Sequence, residues 1–408
     1  MSALRSNRRS VMQMLLALAA SPVPRGTNGM SSAVTARGKR VSGSTVTIFL
    51  CGDVMLGRGI DQVLPFPSDP KLHEGYVDSA LGYVRLAEDR HGPIPRPANF
   101  DYVWGDALNE WLRVNPNLRL INLETAITRS ETFEPKGINY RVSPENAGCL
   151  LAAGVDCCGL ANNHVLDWGE PGLIETLRVL KHLGISAAGA GGNLAEATAP
   201  AVWDIPGAVR VIMLSYAMKT SGTPSAWAAT PTRPGVNLLP DLSDGTVDRI
   251  ARQVRAVRRE KDLVIASIHW GPNWGYDIPN ERRRFAHALI DRAAVSILYG
   301  HSSHHPIAIE RYHNRLILYG CGDFLNDYEG IAGYEEFRAD LSLMYFVSMN
   351  VVTGDLMSLE MTPLQIRRFR LNRATHEDAG WLQRRLDREC RRFGGRIILG
   401  PGDRLILS

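Results

Sequence analysis

The chain has 408 residues, 45% of them hydrophobic and 22% charged. That is enough to bury one large core or two ordinary ones, and it excludes a disordered, collagen-like or disulfide-stapled miniprotein. Its 46 basic and 42 acidic residues leave a formal charge of +4, too even a balance to make nucleic acid an obligatory partner.

At the N-terminus, Arg5, Arg8 and Arg9 precede a mostly apolar run from Val11 to Ala20, with small residues after it, which is the outline of a secretory signal. Asn7 to Met12 is similar to a weak twin-arginine signal, but Gln13 interrupts the apolar run and Met30 offers an alternative start. A cytoplasmic location is therefore favoured, with export if this segment is a signal. From Ser21 to Ser44 the Ser, Gly, Pro and Thr content predicts a flexible lead-in, so residues 1–44 are set apart from the body. Nothing approaches the ~20 consecutive apolar residues of a membrane helix.

From Thr45 onward, short apolar runs rich in β-branched residues alternate with helical patterns, which predicts βαβ units and a mostly parallel sheet. The predicted strands are Val46 to Cys51, Leu118 to Asn122, Val155 to Leu160, Val209 to Ser215, Leu263 to His269, Val295 to Tyr299 and Leu316 to Tyr319. Between them, Leu173, Leu177 and Leu180, and later Val247, Ile250, Val254 and Val257, recur at helical spacing as core-facing stripes. Leu343 to Val352, a Thr353-Gly354-Asp355 turn and Leu356 to Met361 predict an antiparallel hairpin, so the sheet ends as mixed. Beyond Pro363 the chain is strongly basic around a predicted helix from His376 to Phe393, and residues 366–408 are read as a C-terminal extension packed on a main domain of 45–365. The cysteines Cys51, Cys149, Cys157, Cys158, Cys321 and Cys390 contain no C-x-x-C pair and read as small buried side chains.

Five polar clusters fall at the ends of predicted strands, where an open α/β sheet gathers its ligands. They are Cys51-Gly52-Asp53, Asn122-Leu123-Glu124, Asn162-Asn163-His164, His269-Trp270-Gly271 and Gly300-His301 through His305. Singly, each is as well explained by a helix cap or a structural histidine. Together they supply two carboxylates, an amide oxygen and three imidazoles, a mixed oxygen and nitrogen set suited to manganese, iron or zinc rather than calcium. The set exceeds what one four-coordinate ion needs, which points to two divalent metal ions bridged by a carboxylate.

The runs Gly52-Asp53-Val54-Met55-Leu56-Gly57-Arg58, Asn122-Leu123-Glu124-Thr125, Ala161-Asn162-Asn163-His164 with Asp167 and Gly169, His269-Trp270-Gly271, and Gly300-His301 with His304 resemble the successive motifs of the CapA family of poly-γ-glutamate capsule synthesis proteins, also called polyglutamine synthesis accessory proteins. The resemblance spans roughly Val46 to Leu364. It implies a calcineurin-like metallophosphoesterase architecture, a four-layer α/β/β/α sandwich with mixed sheets around a dinuclear site. By motif, Asp53 would bind the first metal, Glu124 would bridge, Asn163, His269 and His301 would hold the second, and His304 would complete the first. His164 inherits the role of the acid that protonates a leaving group.

Two departures stand out. Where a metallophosphoesterase has Asp-x-His, this chain has Asp53-Val54-Met55, so the first metal gains only a thioether that hard ions bind poorly. Asp323 stands where many CapA-like chains carry asparagine, and reads as a base, a helix cap or a salt-bridge partner. Arg58 could offer a bidentate fork to a carboxylate or phosphate, or equally pack on the surface. His305 is read as substrate-facing or as supporting its neighbour His304, and Trp270 and Trp274 as walls of the pocket or as core packing.

Four functional readings follow. The first is a metal-dependent protein of poly-γ-glutamate or similar polymer synthesis, with a glutamyl polymer or peptide as substrate and a membrane synthase complex as partner. The second is a hydrolase of phosphoesters or amides, and the third a peptide epimerase of the lasso-peptide type. The last is a scaffold whose basic C-terminal region docks acidic polymer or lipid.

Overall fold

The computed structural model describes residues 44–408 together with the two-residue strand Val34–Thr35. The N-terminal run read as an export signal lies outside the described residues.

Two mixed sheets carry the fold. In the first, Cys157–Gly159, Leu118–Leu123 and Asp53–Val54 run parallel, Thr45–Cys51 joins them beside Leu118–Leu123, and the antiparallel strands Leu341–Asn350 and Leu356–Ile366 continue the sheet. In the second, Val209–Met218, Leu263–His269, Ile297–His301 and Arg315–Leu318 run parallel, with Ala201–Ile205 and Ile309–Tyr312 antiparallel at the two edges. Val34–Thr35, within the lead-in expected to be flexible, pairs with Trp203–Asp204, where an open row of backbone donors and acceptors takes up a further strand.

Period-two alternation sorts the side chains into layers. Val46, Ile48 and Leu50 point into a core shared with Val211, Met213 and Ile265 of the other sheet. Phe49 and Cys51 point the opposite way, into a core with Tyr83 of helix Leu81–His91, Trp111 of helix Ala107–Val114 and Leu173 of helix Gly169–His182. Beyond the second sheet, Ile212, Leu214 and Val264 meet Val247, Ile250 and Val254 of helix Asp244–Val257 and Phe285 and Leu289 of helix Asn280–Ala293. The layer order is helix, sheet, sheet, helix, the four-layer α/β/β/α sandwich with mixed sheets.

The Leu263–His269 strand coincides with its predicted span. The strand predicted from Val295 instead occupies Ile297–His301, because Val295 closes the preceding helix through its N–H to Leu289 O at 3.2 Å. The ladder then runs on through Gly300 and His301, opposite Ile268 and His269. Val155 is likewise held by Leu150 O at 3.1 Å, which shortens the next strand to Cys157–Gly159. The second hairpin strand reaches Ile366 rather than Met361, since Leu341–Asn350 pairs with it along its length.

After Ile366, Leu371–Arg373 folds back onto the hairpin, and Thr375 caps the helix His376–Arg391 by accepting from the Asp378 N–H, a contact worth about 1 kcal/mol. Leu382, Leu386 and Cys390 of that helix close the end of the inter-sheet core. Leu405–Leu407 then adds to the first sheet beside Met361. All six cysteines are buried and unpaired. Among the described residues, no helix is long and apolar enough to cross a membrane.

Candidate metal centre

The carboxyl edges of the two sheets converge on Asp53. Its strand lies between two parallel neighbours, with Asp323 in register on one side and Asn122 on the other. Gly52 permits the approach, since a Cβ there would run into the Gly322 carbonyl. In the second sheet His269 and His301 stand opposite each other at the ends of adjacent parallel strands, with ring centroids 6.2 Å apart. Asn122 Nδ2 donates to Asp53 Oδ1 at 2.7 Å and the Ser302 N–H donates to Oδ2 at 3.0 Å. Ser302 adopts φ 86° to aim that N–H, a backbone state that costs a non-glycine residue about 1–3 kcal/mol.

Asp53, Glu124 and His269 each offer one ligand atom, and these atoms lie within 4.8 Å of one another. His269 Nε2 is 3.7 Å from Glu124 Oε1, and His301 Nδ1 is 2.9 Å from Asp53 Oδ1 in an orientation that makes no hydrogen bond. Glu124 Oε2, Asn163 Oδ1 and both ring nitrogens of His301 are buried without a hydrogen-bond partner. An unsatisfied buried polar atom costs about 1–3 kcal/mol. Four of them on residues singled out as ligands, beside two buried carboxylates, fit a divalent cation.

The electrostatics point the same way. Burial pushes the Asp53 carboxyl up, but His269, His301 and Asn122 outweigh it and hold it well below the usual carboxylate range. Burial, with Asp53 and Asp323 alongside, pushes Glu124 well above that range. Two carboxylates this close resist being charged together unless a cation lies between them. Burial brings His269 down to about 3, leaving a neutral imidazole of the kind metals bind.

Asp323 acts as an ion-pair partner: its Oδ1 lies 2.9 Å from His304 Nδ1, and its Oδ2 accepts from Asn326 at 2.8 Å. Burial opposes charge on the His304 ring, yet Asp323 outweighs it and raises the pKa. This pairing orients the ring and leaves Nε2 for a ligand, as carboxylates do behind metal-binding histidines. His164 is anchored similarly. Its Nδ1 lies 2.6 Å from Asp167 Oδ2, its Nε2 lies 3.7 Å from Glu124 Oε1, and its ring meets the Tyr140 edge at 4.3 Å. Burial lowers its pKa to about 4, with Asp167 opposing.

Arg58 lies buried away from solvent. Its guanidinium bonds Asp327 at 2.5 and 3.2 Å, Glu74 at 3.1 Å and the Tyr83 hydroxyl at 2.9 Å, and it stacks over the Tyr83 ring at 3.9 Å. His305 is buried, with Nε2 accepting from the Gly275 N–H at 3.1 Å. Trp270 is core, its Nε1 donating to Tyr319 O at 2.9 Å. Trp274 is half-buried, 5.2 Å from His304 and stacked on Tyr334 at 4.1 Å. The Met55 thioether is buried and accepts from the Tyr328 hydroxyl at 3.4 Å.

Sequence reasoning missed Lys136, whose ammonium bonds Asp167 Oδ1 at 2.7 Å and the Asn163 carbonyl, and Ser302 as a donor to Asp53. Lys136 sits in an irregular loop with no motif. Asp167 was visible only as part of the run after His164.

Comparison with known proteins agrees with this architecture. The profile of the family described as bacterial capsule synthesis protein PGA_cap matches residues 47–328. The chain is 46% identical over 362 residues to the "Probable polyglutamine synthesis accessory protein" of Mycobacterium tuberculosis, covering 88% of this chain and 95% of that protein. It is 26% identical over 336 residues to the "PGA biosynthesis protein CapA" of Bacillus subtilis, covering 82% and 75%. With the "Capsule biosynthesis protein CapA" of Bacillus anthracis it shares 24% identity over 283 residues, covering 69% and 60%.

Proposed function

The chain belongs to the bacterial capsule synthesis protein PGA_cap family, and on that premise we propose that it is a metal-dependent accessory protein in the synthesis of a polyglutamate-type capsule or cell-wall polymer. The names of its relatives support the polymer. The observation that carries the metal is the set of unpartnered buried atoms on Glu124, Asn163 and His301 beside the Asp53, Glu124 and His269 cluster.

In this reading Asp53, Glu124, Asn163, His269, His301 and His304 would hold two divalent ions, manganese, iron or zinc. Such ions, when bound, supply a Lewis acid for a carbonyl, carboxylate or phosphoryl oxygen. The chain's own residues do the rest. Asn122 and Ser302 fix the Asp53 carboxylate, and Asp323 fixes the His304 ring. Asp167 fixes His164 so that Nε2 faces Glu124, where it can give or take a proton. Trp274 stands beside His304 as a wall of the site. The substrate is a glutamyl polymer or peptide, and a membrane synthase complex is the natural partner of an accessory protein.

Hydrolysis of an amide or phosphoester bond is the second reading. The anchored His164–Asp167 pair favours it, since it holds Nε2 toward Glu124 where a general acid or base would stand.

Elemental analysis of purified protein tests the proposal. Wild type is expected to hold about two divalent ions per chain and Glu124→Ala markedly fewer. Unchanged metal content in the variant would remove Glu124 from the centre.

A further inference from the structure

The helix His376–Arg391 lies outside residues 47–328, the span matched by the family profile. Between Gln383 and Arg396 the chain carries six arginines against two carboxylates, an excess of four. Seven basic residues and no acidic residue precede Thr45, which leaves residues 45–408 at a formal −3 from the total of +4. The segment is therefore a basic island on an acidic body.

Its geometry is directional. Leu382, Leu386 and Cys390 face the inter-sheet core, while Arg384, Arg388 and Arg391, at helical spacing, are exposed. With Gln383 and Asp387 these arginines line a groove of about 340 Å³. Asp387 is already engaged by Arg391 at 2.7 Å and Arg396 at 2.9 Å, and Glu389 by Arg392 at 3.2 Å. Arg384 makes no ion pair with a described residue, and the nearest carboxylate oxygen to Arg388 is 3.7 Å away.

The face also connects to the metal centre. Arg385 lies 4.4 Å over the Tyr276 ring, and its Nε is buried without a hydrogen-bond partner. Tyr276 packs on His305 at 4.5 Å, His305 on Trp274 at 6.1 Å, and Trp274 on His304 at 5.2 Å. An aromatic wall thus runs from the candidate ligand His304 to the basic helix.

We propose that the Arg384 and Arg388 face of the C-terminal helix is a docking track for an extended polycarboxylate chain whose reacting end lies at the candidate metal centre. The inference rests on the polymer reading above and extends it to a second contact surface. Arg384 and Arg388 are about 6 Å apart along the helix axis, a spacing that a flexible polymer with one carboxylate per repeat can meet, and guanidinium is the natural fork for carboxylate. A lipid surface fits less well, because the apolar side of this helix is turned into the core rather than outward.

The test is fluorescence anisotropy with fluorescein-labelled poly-γ-glutamate on the full chain, wild type beside Arg384→Glu/Arg388→Glu and the milder Arg384→Gln/Arg388→Gln, at low and physiological ionic strength. Wild type is expected to bind with an affinity that falls as salt rises. The charge-reversed protein should bind roughly tenfold or more weakly and the glutamine protein should be intermediate, with circular dichroism and metal content as in wild type. Equal affinity in wild type and both variants overturns the proposal. So does wild-type binding to phosphatidylcholine and phosphatidylserine vesicles, or to single-stranded DNA, without binding to polyglutamate. Because metal content is read separately, loss of the docking track and loss of the metal reading give different results.

Discussion

His164 Nδ1 lies 2.6 Å from Asp167 Oδ2, so the ring is held from behind and its Nε2 points 3.7 Å from Glu124 Oε1. Burial lowers the His164 pKa to about 4, and Asp167 is the main force raising it. Removing that carboxylate exposes the ring to the full effect of burial and of Lys136. In metal-free protein, Asp167→Asn is therefore expected to titrate His164 below the wild-type value and to loosen its tautomer, as read from imidazole nitrogen and proton shifts. An unchanged or higher pKa would show that Asp167 does not govern this ring.

His305 offers a stability test with a defined sign. Its pKa is lowered to about 4, chiefly by burial, against roughly 6.5 in the unfolded chain. Since the folded value is depressed, the contribution of the neutral ring is complete above pH 6.5 and is lost as pH falls through about 4. In metal-free protein, the stability advantage of wild type over His305→Phe should shrink by about 3 kcal/mol between pH 7 and pH 4. Urea titrations at the two pH values measure it. A pH-independent difference would mean that His305 is not held neutral.

Arg58 is locked by Asp327, Glu74 and Tyr83 in a buried cluster. Removing one partner of a buried charge network leaves the others uncompensated, at about 3–5 kcal/mol. Arg58→Met should lower unfolding free energy by about that amount, with Arg58→Lys less damaging because a charge remains without the fork. A loss below about 1 kcal/mol would place Arg58 among exposed, weakly coupled charges.

The strand ends that build the site were largely legible. Leu263–His269 is a continuous apolar run closed by a polar residue, and burial on both faces demands that pattern. What was not legible depends on partners distant in sequence. Arg58 read as a substrate fork because Asp327, 269 residues away, is visible only in three dimensions. Asp323 left three readings open until the fold put it beside His304. The strand Ala201–Ile205 was missed because Asp204 breaks its apolar pattern on the exposed side. Lys136 gave no signal, its role coming from a loop that folds against the end of the Asn162-Asn163-His164 run.

Gly52 tests the backbone that aligns Asp53 with Asp323. A Cβ there collides with the Gly322 carbonyl, a backbone atom that cannot rotate aside. Gly52→Ala should destabilise by about 1–3 kcal/mol or more and lower metal content together, by thermal melting and elemental analysis. A variant with wild-type stability and metal content would show that the two strands tolerate separation.

The central claim is that Asp53, Glu124 and His269, with His301 and Asn163, share bound cations. Anomalous diffraction from crystals grown with manganese measures this most directly. The account predicts difference peaks within about 2.5 Å of carboxylate oxygens of Asp53 and Glu124 and of a His269 ring nitrogen. Crystals that show manganese elsewhere, or none between these side chains at saturating metal, would contradict it.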